Sequence, residues 1–226
     1  MYLIWLLISV FLGLLIETVA YVLIGEKFIS WQCFLTVVHQ IRKREGQVQY
    51  IVMQSLLTGL VLFLLHQKGI SLEFYKLIFF TIMMMLIGYI DFKTTFVYRW
   101  TTFLTFMGGL FFISVESMLL KAWPIDSMIG FLIGFSVIGL IVFLTRGMGE
   151  GDIEIAALCG LFLGIIGSFL TLFLGIIFGG VAGTVLLIRR KKGLKDEMAF
   201  GPYLVMGAFI AMLWGNELFQ WYLGLF

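Results

Sequence analysis

The sequence holds four aspartates, Asp91, Asp126, Asp152 and Asp196, and two of them stand where apolar runs meet polar sequence. Asp91 ends a long apolar segment in Ile87-Gly88-Tyr89-Ile90-Asp91-Phe92-Lys93. Asp152 opens another in Gly147-Met148-Gly149-Glu150-Gly151-Asp152-Ile153. An ionisable group at such a boundary is costly in a membrane and is a functional hypothesis by default. Two carboxylates brought close cannot both ionise cheaply, so they share a proton. One can then take a proton from water while the other protonates a leaving group. That chemistry hydrolyses an amide with no metal and no nucleophilic side chain. Spacing alone leaves open a second reading, in which each aspartate only caps a helix at the interface. Gly147, Gly149 and Gly151 alternate before Asp152. Glycine permits positive φ and close backbone approach, so an extended peptide can lie beside the carboxylate. The competing use of such glycines is tight helix packing.

The elements that must position these carboxylates are membrane helices. The chain has 226 residues, 62% hydrophobic and 12% charged, with mean hydropathy +1.09. A soluble domain carries about a quarter charged residues, so the solvent here is lipid. Eight apolar segments are expected, roughly 2–24, 48–66, 72–90, 97–120, 125–145, 153–166, 168–188 and 199–223. The sixth is short for a span of about 20 residues; it either tilts or merges with the seventh through Gly164 and Gly167. Continuous apolar runs exclude a membrane β-barrel. The fold class is therefore all-α, a polytopic membrane helical bundle treated as a single domain over 1–226. The apolar start, Met1-Tyr2-Leu3-Ile4-Trp5, reads as an anchor rather than a cleaved signal.

Lys and Arg set the orientation. With the N-terminus outside, the inner loops hold Lys27, Arg42, Lys43, Arg44, Lys93, Arg99, Arg146, Arg189, Arg190, Lys191, Lys192 and Lys195, which is 12 of 15 basic residues. The outer side holds only Lys68, Lys76 and Lys121. Asp91 and Asp152 then share the cytoplasmic face, Asp126 falls outside, and Asp196 lies in a charged inner loop. A net charge of +2 gives no sign of nucleic-acid binding; the lipid bilayer is the expected environment. Glu17, inside the first segment, reads as a neutral acid hydrogen-bonded between helices or as a third group near the site. Met83-Met84-Met85 reads as core packing.

Gly149-Glu150-Gly151-Asp152 matches the GxGD motif of intramembrane aspartyl proteases, and 151–160 resembles its form in bacterial prepilin peptidases. Phe200-Gly201-Pro202-Tyr203-Leu204 is similar to the FGP segment that opens that family's last span. Phe11-Leu12-Gly13 and Leu56-Leu57-Thr58-Gly59 resemble its first two spans more loosely. Gly149, Gly151, Glu150, Glu154, Phe200, Gly201 and Pro202 are read as substrate-binding, with some of the acids Glu150, Glu154, Asp196 and Glu197 holding a leader's positive charges and the glycines letting its backbone come close. The resemblance implies Asp91 and Asp152 as the catalytic pair. It implies no cofactor, and a multi-pass protein of the bacterial cytoplasmic membrane. Its implied partners are prepilin or pseudopilin precursors, whose short basic leaders are removed at the cytoplasmic face.

The sequence departs from the family in the loop at 25–47. Members usually carry four cysteines there in two CxxC pairs that bind zinc; this chain has Cys33 alone. One thiolate cannot build a four-ligand site, so no metal is expected, and the loss argues against the methyltransferase activity that many members add. Glu154 stands where Lys is common and makes the surroundings of Asp152 more acidic. Tyr98-Arg99 replace a usual Pro-Asp or Pro-Asn. Two alternatives differ in substrate or in class: a GxGD protease of preflagellin-like substrates, or a non-catalytic scaffold or transporter. A transporter would place polar groups near mid-membrane in two related halves, a pattern not visible here.

Overall fold

A computed structural model describes residues 2–25, 44–145, 148–189 and 199–224. Their regular structure is helical throughout: α1 (Tyr2–Ile24), α2 (Arg44–Lys68), α3 (Leu72–Thr94), α4 (Arg99–Leu120), α5 (Ile125–Thr145), α6 (Glu150–Ile188) and α7 (Gly201–Leu223). The apolar runs dictate this, because in hydrocarbon a helix satisfies its backbone N–H and C=O groups within itself. Helices α1 to α6 are long and apolar enough to cross a membrane. The protein is thus the multi-pass helical membrane protein that the sequence implied. The loop expected at 25–47 lies outside the described residues except for Gly25 and the start of α2, which begins at Arg44. The charged run 190–198, with Asp196 and Glu197, also lies outside them.

The chain divides into two compact units, Met1–Ile90 and Asp91–Phe226. In the first, α1 and α2 share a polar contact in an apolar setting. Ser9 Oγ and Thr58 Oγ1 lie 3.0 Å apart, and Gln54 Nε2 donates to Thr58 Oγ1 at 3.1 Å. Gly13 makes room for the Gln54 amide, since a side chain there would overlap it. The Trp5 ring meets Phe74 edge-on at 4.9 Å. Leu57, Val61, Leu64, Phe74, Phe80 and Met84 are fully buried, and Met83 and Met85 nearly so, as expected of core packing. Glu17 lies half-buried on α1.

In the second unit, α5 and α6 touch backbone to backbone. A side chain on Gly134 or Gly160 would collide with the carbonyl of Ala156 or Gly130 on the facing helix. Small residues let membrane helices approach this closely and gain dispersion contacts that lipid cannot supply. Ser168 Oγ adds a buried hydrogen bond to Gly130 O at 3.1 Å.

Helix α6 resolves the ambiguity of the sixth and seventh apolar segments. At 39 residues a straight helix would be about 58 Å long, against a hydrocarbon core of about 30 Å. It is not straight. Gly164 has φ 70° and ψ −165°, a region open in practice only to glycine, and it divides the helix into 150–163 and 165–188. Past the break, the Ile165 N–H donates to Asp126 Oδ1 at 3.1 Å. The short segment is therefore the first half of a broken helix, joined to its successor at Gly164.

Candidate active site

Asp91 lies in the last turn of α3 and is the first residue of the second unit; Asp152 lies in the first turn of α6. Their relative exposures are only 3% and 5%, so neither is a solvated cap. The structure sets them near one another: the charge of Asp91 acts on Asp152, and the backbone N–H of Gly201 lies within reach of both. The Gly149 N–H is directed at Asp152 as well. Asp91 Oδ2 is fully buried and makes no well-formed hydrogen bond.

Three glycines around the pair have different neighbours. Gly149 caps α6 in an extended conformation, φ −73° and ψ 148°, and its carbonyl accepts the Asp152 N–H at 3.1 Å. The space a side chain would take at Gly149 is open, with Asp152 Oδ2 the nearest atom at 3.9 Å. Gly151 is already covered: a Cβ there would lie 2.6 Å from the Val97 Cβ. Val97 sits in the α3–α4 turn, where Thr95 adopts φ 55°. The turn that follows Asp91 thus packs on the turn that precedes Asp152. At Gly201 a Cβ would lie 2.6 Å from Asp91 Oδ2 and 2.8 Å from Ile155 Cδ1. Gly147 lies outside the described residues.

The two glutamates that flank Asp152 in sequence face away from it. Residues two apart on a helix point about 200° apart at 3.6 residues per turn. Glu154 accepts a 2.5 Å hydrogen bond from Thr102 Oγ1 on α4. Glu150 lies 4.0 Å from Arg99 Nη2, and both side chains are more than four-fifths exposed; such a pair contributes little. On that side of α6 a cavity of about 350 Å³ is walled by Phe103, Phe106, Phe131 and Phe135 and floored by Ala157 and Leu158.

Phe200, Gly201 and Pro202 begin α7. Phe200 is buried, with its ring edge 2.5 Å from where a Gly179 Cβ would stand. Among the described residues, no three His, Cys, Asp or Glu are grouped to hold a metal ion. Sequence reasoning missed Val97, Ile155 and Thr102, which carry no signal in a single chain. It read Asp126 only as a residue of the outer face and did not foresee that Asp126 accepts the Ile165 N–H.

Fold and site define a class: a multi-pass helical membrane protein with paired buried carboxylates at the ends of two helices. Within it, residues 78–184, which hold both aspartates, match the model of the type IV leader peptidase family, which bears out the resemblance over that segment. The chain is 35% identical over 101 residues to a prepilin leader peptidase/N-methyltransferase of Aeromonas salmonicida, covering 44% of this chain and 35% of that protein. It is 37% identical over 100 residues to one from Pseudomonas putida, covering 42% and 35%. It is 34% identical over 96 residues to one from Pseudomonas aeruginosa, covering 42% and 33%. The chain spans about a third of the length of these curated relatives. No solved structure matches.

Proposed function

We propose that this chain is an aspartic endopeptidase of the bacterial cytoplasmic membrane that removes the leaders of type IV prepilin-like precursors at the cytoplasmic face. The observation that carries this reading is the pairing of buried Asp91 and Asp152 inside the family-matched segment. The pair holds one proton. The ionised carboxylate takes a proton from a water, whose oxygen adds to the scissile carbonyl carbon. The protonated carboxyl gives its proton to the amide nitrogen as the C–N bond breaks. The products are a new carboxyl terminus on the leader and a free amine on the mature protein. One proton again remains on the pair. Open space at Gly149 lets the substrate backbone reach Asp152. Phe200 and Pro202 act here by fixing the start of α7.

The relatives named above are also named N-methyltransferases. We propose that this chain cleaves without transferring methyl groups, because two cysteines in all cannot furnish a four-thiolate zinc site. The test is a reconstituted reaction of purified protein with a pilin-like precursor, with and without S-adenosylmethionine. Cleavage that leaves an unmethylated new N-terminus is the expected outcome. An uncleaved precursor would defeat the peptidase reading, and a methylated terminus would defeat the single-activity reading.

A further inference from the structure

The start of α7 leaves one backbone donor over, and it stands beside the two aspartates. A helix begins with unpaired N–H groups. Here Pro202 supplies none, while Tyr203 and Leu204 donate to Phe200 O at 3.0 and 3.3 Å. The N–H of Gly201 is the remaining donor of that turn; it lies within reach of both carboxylates, and position 201 stands directly against Asp91 Oδ2, which has no hydrogen-bond partner of its own. Position 201 has no room for a side chain, because Asp91 Oδ2 and the Ile155 side chain fill it. Phe200, buried against Gly179, fixes where the turn begins.

We propose that the Gly201 N–H is a positioning group for the catalytic pair: it bridges the Asp91 and Asp152 carboxylates and holds them in one arrangement while their single negative charge moves between them. This rests on the peptidase reading. A carboxyl pair holding one proton carries one charge, and during hydrolysis that charge changes carboxylate. A donor shared by both stays in place through that change, so no reorganisation is required at the moment of reaction. The positive end of the α7 dipole acts in the same sense on either carboxylate. A side chain at 201 would push Asp91 away and open the pair, which explains glycine in front of the proline.

The test replaces the Phe200–Gly201 amide by an ester, which removes the N–H and adds no side chain. The control is the same replacement at Tyr203, which removes a donor from the same turn without touching the pair. Expected for the Gly201 ester is a fall of about 10²-fold in kcat, the usual effect of losing one preorganised donor, with KM unchanged. The Tyr203 ester should stay within a few-fold of the parent. An active Gly201 ester, or an equal loss in both, overturns the proposal. A second measurement needs no turnover. In ¹⁵N-glycine-labelled protein, the Gly201 amide resonance should move upfield in Asp91→Asn and again in Asp152→Asn. A resonance indifferent to both substitutions overturns the bridging role even if the natural substrate lies elsewhere. Failure of the parent protein to cleave, with the resonance responding, would instead count against the peptidase reading alone.

Discussion

The proposed pairing of Asp91 and Asp152 as one catalytic unit has a kinetic signature. Asp91→Asn or Asp152→Asn should each abolish precursor cleavage in protein that still inserts and folds. The double variant should be little worse than either single one, since the second change removes a group already idle. Cleavage assays on detergent-purified variants measure this, and substantial activity in either single variant would disprove the assignment. Gly151 makes a separate point. It reads in sequence as part of a strip for substrate, yet Val97 occupies its face. Gly151→Ala should lower stability by about 1–3 kcal/mol, as overpacking does. Adding Val97→Ala should recover much of the loss, giving a coupling of at least about 0.5 kcal/mol in a thermal-unfolding cycle. Asp91 and Asp152 stood out in the sequence because an acid at an apolar boundary is conspicuous, and both are buried. The partner of Gly151 did not stand out, because valine in an apolar chain signals nothing until a turn delivers it. Glu150 and Glu154 were read by nearness in sequence. Helical geometry sets them on another face, where Thr102 and Arg99 meet them.

The broken helix α6 belongs to a larger scale. Its segments were both visible as apolar runs, and Gly164 and Gly167 marked where they could join. What a sequence cannot show is that an acid from another helix closes the break. Asp126 Oδ1 accepts the Ile165 N–H, and a side chain at Gly164 would overlap the Asp126 carboxylate. Asp126→Ala should therefore cost about 0.5–2 kcal/mol, the range for a lost helix cap. Asp126→Asn keeps an oxygen acceptor and should be close to neutral both in stability and in cleavage. Gly164→Ala should be worse than either, because it meets both the φ of 70° and the carboxylate. Melting temperatures of the three variants in one detergent give the order, and an Asp126→Ala variant as stable as the parent would show that the break needs no cap.

For the whole molecule, length and apolar content prescribed a helical membrane protein, and α1 to α6 supply six helices fit to cross. Hydropathy marks where helices begin and end but says nothing of which glycines let them touch; the close packing of α5 on α6 through Gly134 and Gly160 emerged only with the fold. Orientation has to come from charge, and the 12-to-3 distribution of Lys and Arg predicts an outer N-terminus. The turn between α3 and α4 and the start of α6 should then face the cytoplasm, with the α2–α3 and α4–α5 turns outside. Cysteine labelling tests this in a variant whose Cys33 and Cys159 have been replaced. Phe96→Cys and Glu150→Cys stand at exposed positions near the paired aspartates, while Ile70→Cys and Ala122→Cys stand at exposed positions in the other two turns. A membrane-impermeant thiol reagent on intact cells should label residues 70 and 122 and spare 96 and 150 until the membrane is opened. Labelling of residue 150 from outside would place Asp152 on the wrong side to meet a leader held in the cytoplasm. It would refute the orientation and the proposed substrate together, while leaving the chemistry of the pair intact.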